Sequence, residues 1–146
     1  MFETILVPVD GSPTSLRAID QAAALAKAFD STVSVISIVD PYPLMGMNSE
    51  IPYDQESFHQ AAKAEAEQAT RVACEQLKAA GVDAKGEVVE SHTVWRGVLE
   101  AAGKAHADLV IMGSHGRHGL EKLVLGSVTQ RVLQHASLPV MVVRGE

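Results

Sequence analysis

Three glycines and a serine in the last third of the chain have the types and the spacing of a phosphate-binding segment. They are Gly113, Gly116, Gly126 and Ser127, with two and then nine residues between successive glycines. The apolar run 108–112 before them predicts a strand, and residues 128–135 after them predict a helix. Glycine lets backbone N–H groups approach an anion without an intervening Cβ atom, and a helix start adds unpaired N–H donors and the positive end of its dipole. The segment therefore predicts a site for the phosphates of a nucleotide.

Each of these residues also has a purely structural interpretation. The glycines could serve only turns that need a positive φ. Ser127 could be a helix N-cap, with Gln130 completing a capping box. Asp10, at the end of the first predicted strand, could close a turn with Gly11 or accept hydrogen bonds from ribose hydroxyls. Because the glycines occur as a set at this spacing, we favour phosphate binding.

The sequence allows more than one role for several other polar residues around this segment. Arg117 and Lys122 could neutralise phosphate charge or could be ordinary solvated side chains. His115 and His118 have a spacing found in metal sites, but no cysteine lies nearby in the sequence to complete the ligand set. We therefore predict no metal ligands among these residues.

Composition excludes several partner classes. The chain has 146 residues, 47% of them hydrophobic, and a net charge of −6. One domain over residues 1–146 fits this length, and the acidic balance disfavours nucleic acid as a partner. A single cysteine allows no internal disulfide, the N-terminus lacks the features of a signal peptide, and no apolar run is long enough to span a membrane. We expect a cytoplasmic protein without a membrane partner.

Apolar runs and amphipathic segments alternate along the chain as β-α-β-α-β-α-β-α-β. Such alternation predicts a parallel sheet with helices on both faces, whose ligands bind beyond the carboxyl ends of the strands. Residues 84–90 form the weakest strand pattern, which suits a sheet edge. Residues 40–56 are expected to be a loop that either closes over a bound base or is disordered.

The glycine segment and the strand ends around it resemble the universal stress protein family, specifically its nucleotide-binding branch. The family's Gly-x2-Gly-x9-Gly-Ser/Thr motif is complete in this chain, and residues 5–12, 111–117, 125–129 and 139–143 are also similar to the family. One departure lies at residues 91–96, where relatives often have a Gly-x-Pro turn. Here Thr93 is expected to cap the following helix instead. The resemblance covers essentially the whole chain.

This resemblance implies a Rossmann-like α/β fold, a five-stranded parallel sheet in the order 3-2-1-4-5. The implied ligand is ATP, with ADP and AMP as alternatives. Magnesium is expected to accompany it, and the Asp10 carboxylate could be a ligand of that ion. Asp10 would meet the ribose or adenine, and the main chain near Ile38 would meet the adenine. The candidate binding set is Pro8, Asp10, Ile38, Met112, Gly113, Gly116, Arg117, Gly126, Ser127, Val128 and Thr129. A homodimer through the last strand, Val140 to Val143, is also implied, besides an unknown protein partner.

The residues favour a regulator over an efficient enzyme. Neither Gly-x4-Gly-Lys-Ser/Thr nor Gly-x-Gly-x-x-Gly occurs in the chain, and we predict no catalytic residue. The first hypothesis is a nucleotide-dependent stress-response protein with slow or no hydrolysis. The alternatives are a true ATPase or autophosphorylating phosphotransferase, and a nucleotide-free interaction module.

Overall fold

Five parallel strands form one sheet with helices on both faces. The structure is a computed structural model that describes residues 1–41, 52–115 and 125–144, apart from the side chains of residues 52–55. The sheet order is β3-β2-β1-β4-β5, which confirms the predicted fold. The elements are β1 (Thr4–Pro8), α1 (Pro13–Phe29), β2 (Thr32–Val39), α2 (Pro52–Ala79), β3 (Ala84–Glu90), α3 (Val94–Lys104), β4 (Leu109–Gly113), α4 (Ser127–His135) and β5 (Val140–Val143).

The central strands are apolar at nearly every position because both of their faces are buried. Successive side chains of a strand point to opposite faces. In β1, Ile5 and Val7 pack into the cluster beneath α1 and α2, whereas Leu6 packs into the cluster beneath α3 and α4. In β4, Ile111 and Met112 divide between the two clusters in the same way. This two-sided burial explains continuous apolar runs in place of alternation.

Local signals set the bounds of α1. The Ser12 hydroxyl accepts a hydrogen bond from the Ser15 N–H, and Pro13 occupies the first helical position. Asp30 ends the helix in the left-handed conformation, with φ 57°, and its N–H donates to the Ala26 carbonyl. A capped start and a left-handed end thus place α1 between β1 and β2 as the sequence predicts.

The second helix begins earlier than predicted. Residues 40–56 were expected to form one loop, but α2 starts at Pro52, so the loop prediction is wrong for its last five residues, 52–56. A proline in the first helical turn is favourable, since the N–H it lacks has no helical acceptor there. Residues 42–51, and with them the question of a closing loop, lie outside the described residues.

The edge position predicted for β3 is confirmed, because β3 ends the strand order beside β2. A Cβ atom at Gly86 would lie 2.3 Å from Thr70 Cγ2 and 2.9 Å from Cys74 Sγ, so glycine allows α2 to pack closely on this strand. Cys74 is partly buried, and burial raises the pKa of its thiol, although Lys78 acts in the opposite direction.

Among the described residues, no helix is both long enough and apolar enough to cross a bilayer.

Removing a large buried side chain from α2 should destabilise the fold. Leu77 is fully buried in the cluster beneath α1 and α2, so we expect Leu77→Ala to lower the free energy of unfolding by about 2–5 kcal/mol through lost burial and an unfilled cavity. Urea denaturation measures this change. The matched control is Leu133→Ala in α4, where the leucine is 42% exposed. Equal losses for the two variants would contradict this account of the core.

Candidate functional site

A cavity opens where β1, β2 and β4 end at the carboxyl edge of the sheet. Its volume is about 350 Å³, within the range of small-molecule sites. The third crossover brings α3 over this edge, because that helix connects β3 at one side of the sheet to β4 beyond β1. The cavity is lined by Pro8, Val9, Asp10, Ser15, Ile38, Val94, Val98, Met112, Gly113, His115, Gly126, Ser127, Val128 and Thr129.

The N-terminus of α4 meets this cavity without a side-chain cap. Its N-cap residue is Gly126, whose own N–H donates to the Ser114 carbonyl at 2.7 Å. The first helical bond runs from the Gln130 N–H to the Gly126 carbonyl at 3.0 Å. The N–H groups of residues 127–129 therefore have no acceptor within the helix. Backbone donors and the positive end of the helix dipole together favour an anion at this position.

The capping-box interpretation of Ser127 is wrong. Because Gly126 is the N-cap, Ser127 is the first residue within the helix. The Gln130 side chain donates from Nε2 to the Leu125 carbonyl at 2.8 Å, and so it does not return to the N-cap N–H as a capping box requires. The exposed Ser127 hydroxyl lines the cavity and is not committed to capping.

Gly113 is needed for close packing. A Cβ atom at this position would lie 2.5 Å from Thr14 Cγ2 and 3.2 Å from the Thr14 backbone carbonyl carbon. The first turn of α1 therefore packs directly on the end of β4. Neither Gly113 nor Gly126 has a positive φ, so the turn-geometry interpretation is wrong for both.

Thr129 fastens the start of α4 to the end of β4. Its side chain is buried, and its hydroxyl donates to the Gly113 carbonyl at 2.9 Å. Ser114 continues the attachment, since its N–H donates to the Val143 carbonyl at 2.8 Å. These bonds hold the α4 N-terminus against β4 and β5. The Thr129 hydroxyl proton is thereby committed to the Gly113 carbonyl.

Asp10 combines the turn role with a place in the cavity wall. One of its carboxylate oxygens, Oδ1, accepts from the Ser12 N–H at 2.9 Å, and Gly11 has a positive φ of 83°. The preceding residue, Val9, is held by the Ser37 hydroxyl, which donates to its carbonyl at 3.0 Å. The turn positions a carboxylate that is partly exposed at the cavity.

Most of the predicted set comes together around one cavity. Gly116 and Arg117 lie outside the described residues, as do His118 and Lys122. The other predicted members all line the cavity, namely Pro8, Asp10, Ile38, Met112, Gly113, Gly126, Ser127, Val128 and Thr129.

Residue patterns alone missed the contribution of α3. Val94 and Val98 line the cavity, and their i, i+4 spacing next to a β3→β4 crossover is the signal that could have identified them. Thr93 is the N-cap residue of α3 as expected, but its side chain makes no capping hydrogen bond. The Ser91 hydroxyl instead pairs with the Thr93 backbone, accepting from its N–H at 3.3 Å and lying 2.9 Å from its carbonyl oxygen.

His115 was not included in the candidate binding set. It lines the cavity, and its Nδ1 lies 3.0 Å from the Ser114 hydroxyl oxygen. Within residues 1–41, 52–115 and 125–144, no three His, Cys, Asp or Glu side chains come together as candidate metal ligands.

Comparison with known proteins gives matches over nearly the entire chain. The sequence model of the universal stress protein family matches residues 1–144. A universal stress protein of Methanocaldococcus jannaschii is 35% identical over 144 residues, which cover 99% of this chain and 83% of that protein. A solved structure of a universal stress protein family member from Burkholderia pseudomallei is 28% identical with a TM-score of 0.79, covering 98% and 96% of the two chains. A universal stress protein solved in complex with cAMP is 25% identical with a TM-score of 0.74, covering 99% and 98%.

Substituting Gly113 should destabilise the protein through Thr14. We expect Gly113→Ala to lower the free energy of unfolding by about 1–3 kcal/mol, because the new methyl group overlaps the first turn of α1. Urea denaturation is the measurement, and adding Thr14→Ser, which removes the closest methyl group, should restore part of the loss. Gly103→Ala in α3 is the control, since nothing lies within 4 Å of its added Cβ atom. A Gly113→Ala protein as stable as this control would contradict the packing role.

Proposed function

Since this chain belongs to the universal stress protein family, we propose that it binds one adenine nucleotide, ATP with magnesium, in the cavity at the end of β4. Nucleotide binding then serves a regulatory role in the stress response, with slow or no hydrolysis. The observation that carries this proposal is the N-terminus of α4, which has no side-chain cap and whose first residues line the cavity. ADP and AMP carry the same base and ribose and present fewer phosphates to that helix.

The cavity has distinct apolar and polar parts. Pro8, Ile38, Val98 and Met112 supply apolar surface suited to a purine base. The start of α4 supplies hydrogen-bond donors suited to phosphate oxygens. Backbone amides act locally, so they can attract an anion to a chain whose net charge is −6. This division of chemistry fits a nucleotide better than a wholly apolar ligand.

The Asp10 carboxylate adds an acceptor for ribose hydroxyls. One of its oxygens is bonded to the Ser12 N–H, which fixes the carboxyl group in place. Asp10 as a whole is partly exposed and lines the cavity. The same carboxylate would be the magnesium ligand, and a bound magnesium ion would neutralise charge on the phosphate oxygens.

A similar solved structure supports the ligand class. The universal stress protein in complex with cAMP holds an adenine nucleotide and aligns with 99% of this chain. Catalysis has less support, because phosphoryl transfer requires a positioned nucleophile and cationic stabilisation of the transferring group. In the described part of the cavity wall the ionisable side chains are Asp10 and His115. We therefore propose binding without efficient turnover, in a cytoplasmic protein.

Titration of ATP and magnesium into protein stripped of nucleotide tests this function. By calorimetry we expect saturable binding of about one ATP per chain, the stoichiometry of a single cavity. Ser127→Ala should weaken this affinity several-fold, because it removes one hydrogen bond at the phosphate end. Stability should stay within about 0.5 kcal/mol, since the hydroxyl makes no cap. Ser137→Ala, at an exposed serine after α4, is the matched control.

Two results would favour the alternative functions. Folded, empty protein that binds no ATP would support an interaction module. Incubation with γ-labelled ATP tests the enzyme alternatives, since labelled protein indicates autophosphorylation and rapid release of phosphate indicates an ATPase. A steady-state rate of about one per second or more would contradict a regulator with slow turnover.

We also propose that β5 pairs with its counterpart in a second copy of the chain. This strand lies at the edge of the sheet, and all four of its residues are only partly buried. Val140, Met141 and Val143 pack against the two core clusters, which leaves Val142 as the β5 side chain most available at the edge. A partly exposed apolar edge favours strand pairing, and two-fold pairing of identical strands gives a dimer.

Introducing a charge at Val142 should disrupt this dimer. We expect Val142→Asp to shift the protein towards monomer in sedimentation velocity, because two-fold pairing would bring the new carboxylates of both copies to one interface. Val89→Asp, on the opposite edge strand β3, should leave the sedimentation coefficient unchanged. A dimer that persists in a folded Val142→Asp protein would place the interface elsewhere.

A further inference from the structure

Two buried hydroxyl groups connect α2 to the end of β1. Ser37 in β2 is 2% exposed, and Thr70 in α2 is 7% exposed. The Ser37 hydroxyl oxygen lies 3.0 Å from the Val9 carbonyl oxygen and 2.9 Å from the Thr70 hydroxyl oxygen. Neither residue belongs to the described wall of the cavity at the end of β4. Any effect of this pair on a ligand there must therefore pass through other residues.

The hydrogen-bonding capacity of these groups assigns the direction of the bonds. A carbonyl oxygen only accepts, so the Ser37 hydroxyl donates to Val9 and its oxygen can accept from Thr70. The Thr70 hydroxyl also lies 2.8 Å from the Ala66 carbonyl oxygen, but donation there would leave the two hydroxyl oxygens 2.9 Å apart without a proton between them. The Ala66 carbonyl already has the Thr70 N–H as its donor within α2. The assigned chain therefore runs from Thr70 to Ser37 to the Val9 carbonyl.

Close packing on β3 orients the Thr70 side chain. A Cβ atom at Gly86 would overlap Thr70 Cγ2, so the threonine methyl group occupies the space that this glycine leaves on the edge strand. The Thr70 hydroxyl meanwhile reaches the Ser37 hydroxyl of β2. Contacts between α2 and two strands thus fix the first member of the hydroxyl chain.

The Val9 carbonyl belongs to the peptide group that leads into Asp10. The atoms of a peptide group lie close to one plane, so fixing the Val9 carbonyl also fixes the direction of the Asp10 N–H. On its other side, the Val9 N–H donates to the Ile36 carbonyl at 2.8 Å. The Asp10 carboxylate itself accepts from the Ser12 N–H. Asp10 therefore enters the cavity wall between two fixed points.

We propose that Ser37 and Thr70 are positioning residues for recognition of the ribose. Ser37 fixes the peptide group before Asp10, and Thr70 fixes Ser37. Together they hold the Asp10 carboxylate where it accepts hydrogen bonds from the ribose hydroxyls. The inference rests on the proposed nucleotide-binding function and adds two residues that act without touching the ligand. A carboxylate that is held in place in advance loses less conformational freedom when the ribose binds.

Paired calorimetric titrations of ATP and of dideoxy-ATP, which lacks both ribose hydroxyls, isolate this contact. The two ligands have the same base and phosphates and are titrated with the same magnesium, but only ATP offers sugar hydroxyls to a carboxylate. The ratio of the two affinities therefore reports the ribose contact and cancels effects common to both ligands. We expect the wild type to bind ATP about tenfold more tightly, the effect of one hydrogen bond to a charged group.

Substitutions within the hydroxyl chain should reduce this affinity ratio. We expect Ser37→Ala to lower it to about threefold or less by weakening ATP binding, with dideoxy-ATP binding changed by less than about twofold. Thr70→Val removes the hydroxyl and keeps the branched shape, so it should lower the ratio by a smaller factor, because Ser37 retains its own bond to Val9. Thr70→Ser keeps the hydroxyl and should preserve the ratio. Ser34→Ala, at a partly buried serine of the same strand, is the matched control and should leave it unchanged.

A double substitution tests whether Ser37 acts through Asp10. Asp10→Ala removes the acceptor and should abolish most of the preference for ATP. Adding Ser37→Ala to this variant should not change the ratio further, since two residues that act through one contact are not additive. A further decrease in the double variant would contradict the assignment of Asp10 as the positioned group.

The remaining outcomes separate this proposal from the proposed function. An unchanged ratio in Ser37→Ala, or an equal loss of both ligands, would overturn the positioning role, because a purely structural defect affects both affinities alike. If Ser37→Ala does not fold, equal ratios for Thr70→Val and Thr70→Ser would overturn it. A wild type that binds ATP and dideoxy-ATP equally would refute the ribose contact and leave nucleotide binding intact. A wild type that binds neither ligand would refute the proposed function itself.

Discussion

The absence of a side chain at Gly113 is the constraint on which the arrangement of the site depends. At this residue β4 ends, the first turn of α1 packs so closely that a Cβ atom would lie 2.5 Å from Thr14 Cγ2, and the Thr129 hydroxyl of α4 binds the carbonyl oxygen. Two helix starts thus meet one strand end. Ser114 then extends the attachment to β5 through its N–H. A larger residue at position 113 would separate elements that together form the cavity wall.

The two helix starts differ in their capping residues, and this difference gives them different roles. Ser12 supplies a hydroxyl that accepts from the Ser15 N–H of α1, so part of that helix end is satisfied within the protein. Gly126 has no side chain to offer α4. The N–H groups at the start of α4 therefore require acceptors from outside the helix. Within an acidic chain, this places a local positive potential at the cavity and not over the surface as a whole.

Predictions from the sequence were accurate where residues close together in the chain determine the local structure. Ser12 and Pro13 favour a helix start by residue type alone, and α1 begins there. The weak apolar pattern of residues 84–90 correctly indicated an edge strand. The capping-box pattern of Ser127 and Gln130 misled because Gly126 adopts the N-cap conformation and Gln130 bonds to Leu125. Pro52 was assigned to the loop of residues 40–56, but it begins α2, since proline in the first helical turn costs no hydrogen bond.

The amino-acid sequence by itself determined the parallel α/β class, because alternating apolar and amphipathic segments allow few topologies. The resemblance carried by the glycine spacing implied the family, the strand order and most of the candidate cavity wall. Tertiary structure decided how individual residues act. Gly113 accommodates Thr14, which lies far from it in sequence, and the Thr129 hydroxyl is committed to the Gly113 carbonyl. The contribution of Val94 and Val98 to the cavity wall also became evident only in three dimensions. Close packing and hydrogen-bond partners depend on the distances between separate elements, which a linear pattern does not contain.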